Sequence, residues 1–187
     1  MSERDEAAAA KTAAAKTAAE KVAAEKAARA ARIDQAFNRA VPYNAWLGLE
    51  TVDVGEKGAG RLVLRLPFRE ELVGNPETGV LHGGVITAAM DATSGGSVFL
   101  ALAEPLRIAT LDLRIDYLRP AEAGRDVLCS AHCYRVSRQV AFTRGVAHHG
   151  DPGEPIAHAV GTFMIFRDAP SRMADALKSG RAGEGEP

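Results

Sequence analysis

The chain has 187 residues, 47% of them hydrophobic, with a formal net charge of −1. That length fits one domain plus an appendage, and the apolar content supports a core. Balanced charge and only 5% aromatics disfavour a nucleic-acid surface, and no apolar run reaches the roughly 18 residues of a membrane helix. The acidic start, Met-Ser-Glu-Arg-Asp-Glu, is unlike a secretory or transit peptide, so the expected location is the cytoplasm. The two cysteines, Cys129 and Cys133, share one face of a strand, about 13 Å apart, too far for a disulfide. They read as small buried residues of a reduced compartment.

Residues 1–38 form an Ala/Lys-rich helical arm or spacer. Ala7 to Lys26 is almost pure helix former, with lysines at Lys11, Lys16, Lys21 and Lys26 and a favourable Glu25–Arg29 pair. Leu, Ile and Phe are absent before Ile33 and Phe37, which predicts a solvated helix that frays. A five-residue lysine repeat matches no heptad, so a coiled-coil tether is the weaker reading.

The globular part spans 39–168. Val41 to Leu47 reads as a short helical turn carrying Trp46. Leu49–Val54 and Gly60–Phe68 read as a hairpin, with Leu62, Leu64 and Leu66 alternating against Arg61, Val63 and Arg65. Residues 69–81 are a loop with a turn at Gly74-Asn75-Pro76. A helix follows from Gly83 to about Ala103. Strands are then predicted over 106–118, 125–136, 139–149 and 156–167. In the first of these, Leu111, Leu113, Ile115 and Tyr117 are expected on one face and Thr110, Asp112, Arg114 and Asp116 on the other. Residues 169–187 read as a flexible tail with a short helix near 171–178. One central helix among about six strands predicts an α+β fold, an antiparallel sheet wrapped round that helix.

The chemistry concentrates in the central helix. Gly83-Gly84 open it, and its free N–H groups form an oxyanion or anion site. Gly84, Thr87, Ala88, Asp91, Ser94 and Gly95 share one small, polar stripe. Asp91 is the anomaly, because a carboxylate among Val85, Ile86, Met90 and Phe99 is costly without a purpose or a partner. Asp91 lies about 12 Å along the helix from Gly83, too far for both to touch one reacting atom. If they cooperate, the site is built from two chains.

His82-Gly83-Gly84, then Asp91, then Asp116-Tyr117-Leu118-Arg119-Pro120 together resemble the PaaI-like hotdog-fold acyl-CoA thioesterases over residues 43–167. The resemblance implies the hotdog fold, an acyl-CoA substrate, a homodimer or homotetramer, and no cofactor. It implies that the Gly83 N–H polarises the thioester carbonyl and that Asp91 of the neighbouring subunit activates water or attacks directly. His82 caps or orients the loop or carries a proton. Asn75 is the candidate for positioning water, although it stands one residue further from His82 than in several relatives. Gly84 and Thr110 are candidate substrate contacts. Arg135 and Arg138 are candidates for the nucleotide end of CoA. Trp46, Val85, Met90 and Phe99 are expected to line the acyl pocket. No histidine has metal-ligand spacing, so no metal, nucleic acid or membrane is expected. Two other readings stay open: a hydratase or dehydratase on the same fold, and a non-enzymatic acyl-CoA sensor or scaffold.

Overall fold

In the computed structural model, which describes residues 3–104 and 106–167, six strands form one antiparallel sheet curled round a single long helix. The elements in chain order are α1 (Glu3–Ile33), a π-helical segment (Asp34–Arg39), α2 (Pro42–Leu47), β1 (Glu50–Val54) and β2 (Arg61–Leu66). A two-stranded ribbon follows, β3 (Val73–Asn75) and β4 (Val80–Leu81), then α3 (Gly83–Ala101). β5 (Arg107–Tyr117), β6 (Val127–Val136), β7 (Val140–His148) and β8 (Pro155–Phe166) complete the chain. The sheet order is β1-β2-β6-β7-β8-β5. The tail proposed for 169–187, with its short helix, lies outside the described residues.

Alternation decides which face meets α3. Leu62, Leu64 and Leu66 of β2 and Val127, Cys129, Ala131 and Cys133 of β6 are buried against the helix, while Arg61, Ser130 and His132 face outward. α3 is buried along most of its length, with Ala89, Met90 and Val98 fully covered. Both cysteines are buried and unpaired. Among the described residues, no helix is long and apolar enough to cross a membrane.

Three features differ from the sequence expectation. The segment expected as plain loop contains the β3–β4 ribbon, which brings Gly74 against the backbone of His82. The predicted faces of β5 are broken by a bulge: Thr110 pairs with Phe163 and Asp112 with Thr162, leaving Leu111 as an extra residue. Ile108 and Thr110 therefore share the inner face with Leu113 and Ile115, whereas Leu111 is 54% exposed. Finally, the arm docks where it ends. Lys26 pairs with Asp53, Arg29 Nη2 donates to the Gly55 carbonyl at 2.7 Å, and Ile33, Phe37 and Asn38 are buried. Asp34 fixes this junction, accepting from Asn38 Nδ2, Arg39 Nε and the Thr51 N–H. Burial alone would raise the Asp34 pKa, but these bonds outweigh it and hold the carboxyl below its ordinary range.

Candidate active site

Small residues on α3 leave a hollow between the helix, the inner face of β5, and the segment around Phe37 to Asn44. The hollow holds about 350 Å³ and is lined chiefly by Phe37, Val41, Ala92, Phe99, Ile108 and Phe163. Asp91 also lines it, and Thr110 faces it from across. Among the described residues, the side-chain hydrogen bond of Asp91 comes from Thr110, whose hydroxyl donates to Oδ1 at 2.9 Å. The β5 bulge makes that contact possible, because strict alternation would turn Thr110 away. Burial pushes the Asp91 carboxyl above its ordinary range, and the Thr110 bond offsets only part of this. A half-buried carboxylate that has no cationic partner among the described residues and whose titration burial raises is suited to accept a proton.

The N-terminus of α3 lies about two turns from Asp91. His82 is the N-cap of α3, in extended backbone, and its Nδ1 accepts the Gly84 N–H at 3.0 Å. This leaves the proton on Nε2 and makes His82 a capping group. The Gly83 N–H, at the first helical position, has no intrahelical partner. Its carbonyl is held from the other side. Tyr117 donates its hydroxyl to the Gly83 oxygen at 2.5 Å and lies 2.7 Å from the Thr87 hydroxyl. Thr87 bonds the same carbonyl at 3.2 Å. A Cβ on Gly83 would stand 3.2 Å from the Tyr117 hydroxyl, so a larger residue there requires the tip of the tyrosine to give by a few tenths of an ångström.

The chain as a whole is similar to known proteins. The family model of the thioesterase superfamily matches residues 78–156, which include His82, Gly83, Asp91, Thr110 and Tyr117. YigI of Salmonella typhimurium, a medium/long-chain acyl-CoA thioesterase, is 34% identical over 146 residues, covering 71% of this chain and 91% of that protein. A crystal structure of a Pseudomonas aeruginosa protein is 48% identical with a TM-score of 0.64, covering 73% of this chain and 98% of the other. The phenylacetic acid degradation protein PaaI of Thermus thermophilus, solved as a mutant, is 25% identical with a TM-score of 0.57, covering 67% and 99%. The chain belongs to the thioesterase superfamily. It is a PaaI-like hotdog protein and a thioester hydrolase.

On this hotdog frame the sequence-derived candidates separate into groups. Asp91 and Thr110 touch. His82, Gly83 and Gly84 cluster at the helix N-terminus, with the Gly84 N–H already taken by His82. Asn75 ends β3, exposed, and its Oδ1 accepts the Glu77 N–H at 2.9 Å, so that oxygen serves its own turn. Arg135 and Arg138 are exposed near the β6–β7 turn and do not line the Asp91 cavity. Of the expected pocket residues only Phe99 lines it. Trp46 is 52% exposed, stacked on Tyr43 with the Arg69 guanidinium over its ring. Val85 and Met90 are buried elsewhere in the core, because their positions on the helical wheel turn them away from Asp91. The sequence reading missed Phe37 and Asn44, which line the hotdog cavity, and the Tyr117 hydroxyl. Phe37 being the first aromatic residue of the chain, at the end of the arm, and Tyr117 falling in phase with Leu113 and Ile115, were the available signals.

Proposed function

We propose that this thioesterase hydrolyses acyl-CoA to a carboxylic acid and free CoA, in a homodimer or an assembly of homodimers. Asp91 of one subunit takes a proton from water as it adds to the thioester carbon, or attacks that carbon itself. The Gly83 N–H of the neighbouring subunit stabilises the oxyanion. With water as the nucleophile, collapse of the tetrahedral species expels the CoA thiolate, which leaves with the proton that Asp91 accepted; with Asp91 as the nucleophile, collapse leaves an anhydride on Asp91, and water then hydrolyses it to the free acid and supplies the proton of the thiol. Water carries the Asn75 interaction, and Arg135 and Arg138 meet the phosphates of CoA. The acyl-CoA assignment is supported by the named activity of YigI. Buried, unpaired Cys129 and Cys133 fit a reducing cytoplasm.

The observation that carries the reading is Asp91 itself. It is a half-buried carboxylate that accepts a hydrogen bond from a hydroxyl, beside an apolar cavity, and burial raises its titration. Thioesters need no stronger base than this once the carbonyl is polarised. The two-subunit form is supported by β5, which ends the sheet with an unpaired outer edge among the described residues and exposes Leu111 and Tyr117.

The test is release of free thiol from acyl-CoA, followed with a thiol reagent. Wild type should release CoA, and Asp91→Asn should lower kcat by about 10² or more while retaining the native circular dichroism. Binding or hydration of an acyl-CoA frees no thiol, so the sensor and hydratase readings predict no signal. Unchanged hydrolysis by Asp91→Asn would remove Asp91 from the mechanism.

A further inference from the structure

A second cavity of about 370 Å³ lies between the last turns of α1, the β1–β2 turn and the end of α3. Phe99 lines both this cavity and the one beside Asp91. Its ring meets Phe37 edge to face, with centroids 5.6 Å apart and planes at 69°, and both side chains are buried. The Phe37 ring lies in ordinary contact with Gly95 and Gly96, and a Cβ at Gly96 would collide instead with Leu62 Cδ2, 2.4 Å away. The second cavity has an apolar wall of Ile33, Leu100 and Leu102, with the long side chains of Arg29, Arg32 and Lys57 around it. Two apolar hollows therefore share one aromatic wall, and one of them opens onto the candidate catalytic carboxylate.

We infer that the second cavity is a subsite for the distal methylenes of a long acyl chain, with Phe99 and Phe37 as the partition. Shorter chains end against the two rings beside Asp91. Longer chains displace the Phe99 ring and continue toward Leu100 and Leu102. Each methylene that leaves water for this wall favours binding by a factor of about four, so chains that reach the second cavity gain over chains that stop at the partition. This inference rests on the acyl-CoA reading above and assigns a place for the tail that the reading leaves open. It also gives the end of the arm a task, because Phe37 and Ile33 belong to it.

The experiment compares kcat/KM for octanoyl-CoA and palmitoyl-CoA in wild type and two variants. Ala103→Trp fills the second cavity from its far side and should lower the palmitoyl-to-octanoyl ratio about tenfold. Phe99→Ala opens the partition and should raise that ratio about tenfold. Should Phe99→Ala fail to fold, Phe37→Leu thins the same partition and carries the same expectation. If wild type cleaves octanoyl-CoA and neither change moves the ratio, the subsite is overturned while the enzymatic reading stands. If wild type cleaves acetyl-CoA or phenylacetyl-CoA but neither of these two, the subsite is overturned and the acyl-CoA reading stands; if it cleaves none of the four, both are overturned.

Discussion

In the proposed mechanism Asp91 is the base, and the Thr110 hydroxyl donates to it. The ionised carboxylate is the form that takes a proton, so kcat/KM should rise with pH through the Asp91 titration. Burial places that acidic limb above the ordinary aspartate range, and the Thr110 hydroxyl pulls it part of the way back by donating to the ionised form. Thr110→Val keeps the shape and removes the donor. Its acidic limb should move up in pH; an unmoved limb with a reduced plateau would mean that Thr110 acts on substrate instead. The same shift has a consequence for stability. A carboxyl whose folded pKa exceeds its unfolded value stabilises the fold below the unfolded pKa, and that contribution is lost as pH rises through the folded pKa. At neutral pH the ionised Asp91 is thus a stability cost, and Asp91→Asn should melt at the same temperature as wild type or higher. A clearly lower melting temperature would show Asp91 to be a structural group.

At the scale of elements, the end of the arm is part of the domain. Ile33 and Phe37 are buried, Asn38 Nδ2 bridges Asp34 and Thr51 at 3.0 Å each, and Asn44 Nδ2 donates to the Phe37 carbonyl. Upstream, the side chains from Ala15 to Ala28 are exposed. Removing residues 1–20 should therefore leave the melting temperature nearly unchanged. Removing 1–39 strips two large apolar side chains from the core, each contributing about 1.5–3 kcal/mol, and should lower the melting temperature by about 10 °C. Equal effects of the two truncations would show that the arm stabilises through its whole length. The contrast explains what was legible in the sequence. Period-two alternation in β2 and β6, and the glycine-opened run of α3, announced the strands and the helix, because one-sided burial imposes those periods. Docking of an alanine-rich helix leaves no such mark, since its contacts come from Ile33, Phe37 and long polar side chains with no repeat. The bulge at Leu111 was equally silent: Leu111 reads as one more apolar residue in phase with Leu113, and only pairing with β8 shows that it is the extra one. Asp91 and Gly83 were legible because a carboxylate and a glycine pair are out of place in a buried helix. Tyr117 looked like an ordinary in-phase aromatic until its hydroxyl met the Gly83 carbonyl.

For the whole molecule, the decisive question is where the two halves of the site meet. Gly83 and Asp91 sit on one straight helix, separated by eight residues and about 12 Å of rise. A thioester carbonyl and the atom attacking it must lie within a few ångströms of both groups. The proposed homodimer resolves this, and mixed subunits test it. Gly83→Pro deletes the N–H proposed to hold the oxyanion, and proline is favoured at the first helical position. The preceding His82, at φ −64° and ψ 131°, already has the backbone that a following proline requires. Gly83→Pro and Asp91→Asn homodimers should each be nearly inactive. Co-expressed, a mixed dimer has one site with both substitutions and one with neither, because the Gly83→Pro subunit still carries Asp91 and the Asp91→Asn subunit still carries the Gly83 N–H. Activity should therefore return to about half the wild-type value per purified mixed dimer. If each chain builds its own site, every site in the mixed dimer carries one defect and no activity returns. An N–H without a role in the reaction gives a third outcome, a Gly83→Pro homodimer as active as wild type, which would move the oxyanion site elsewhere.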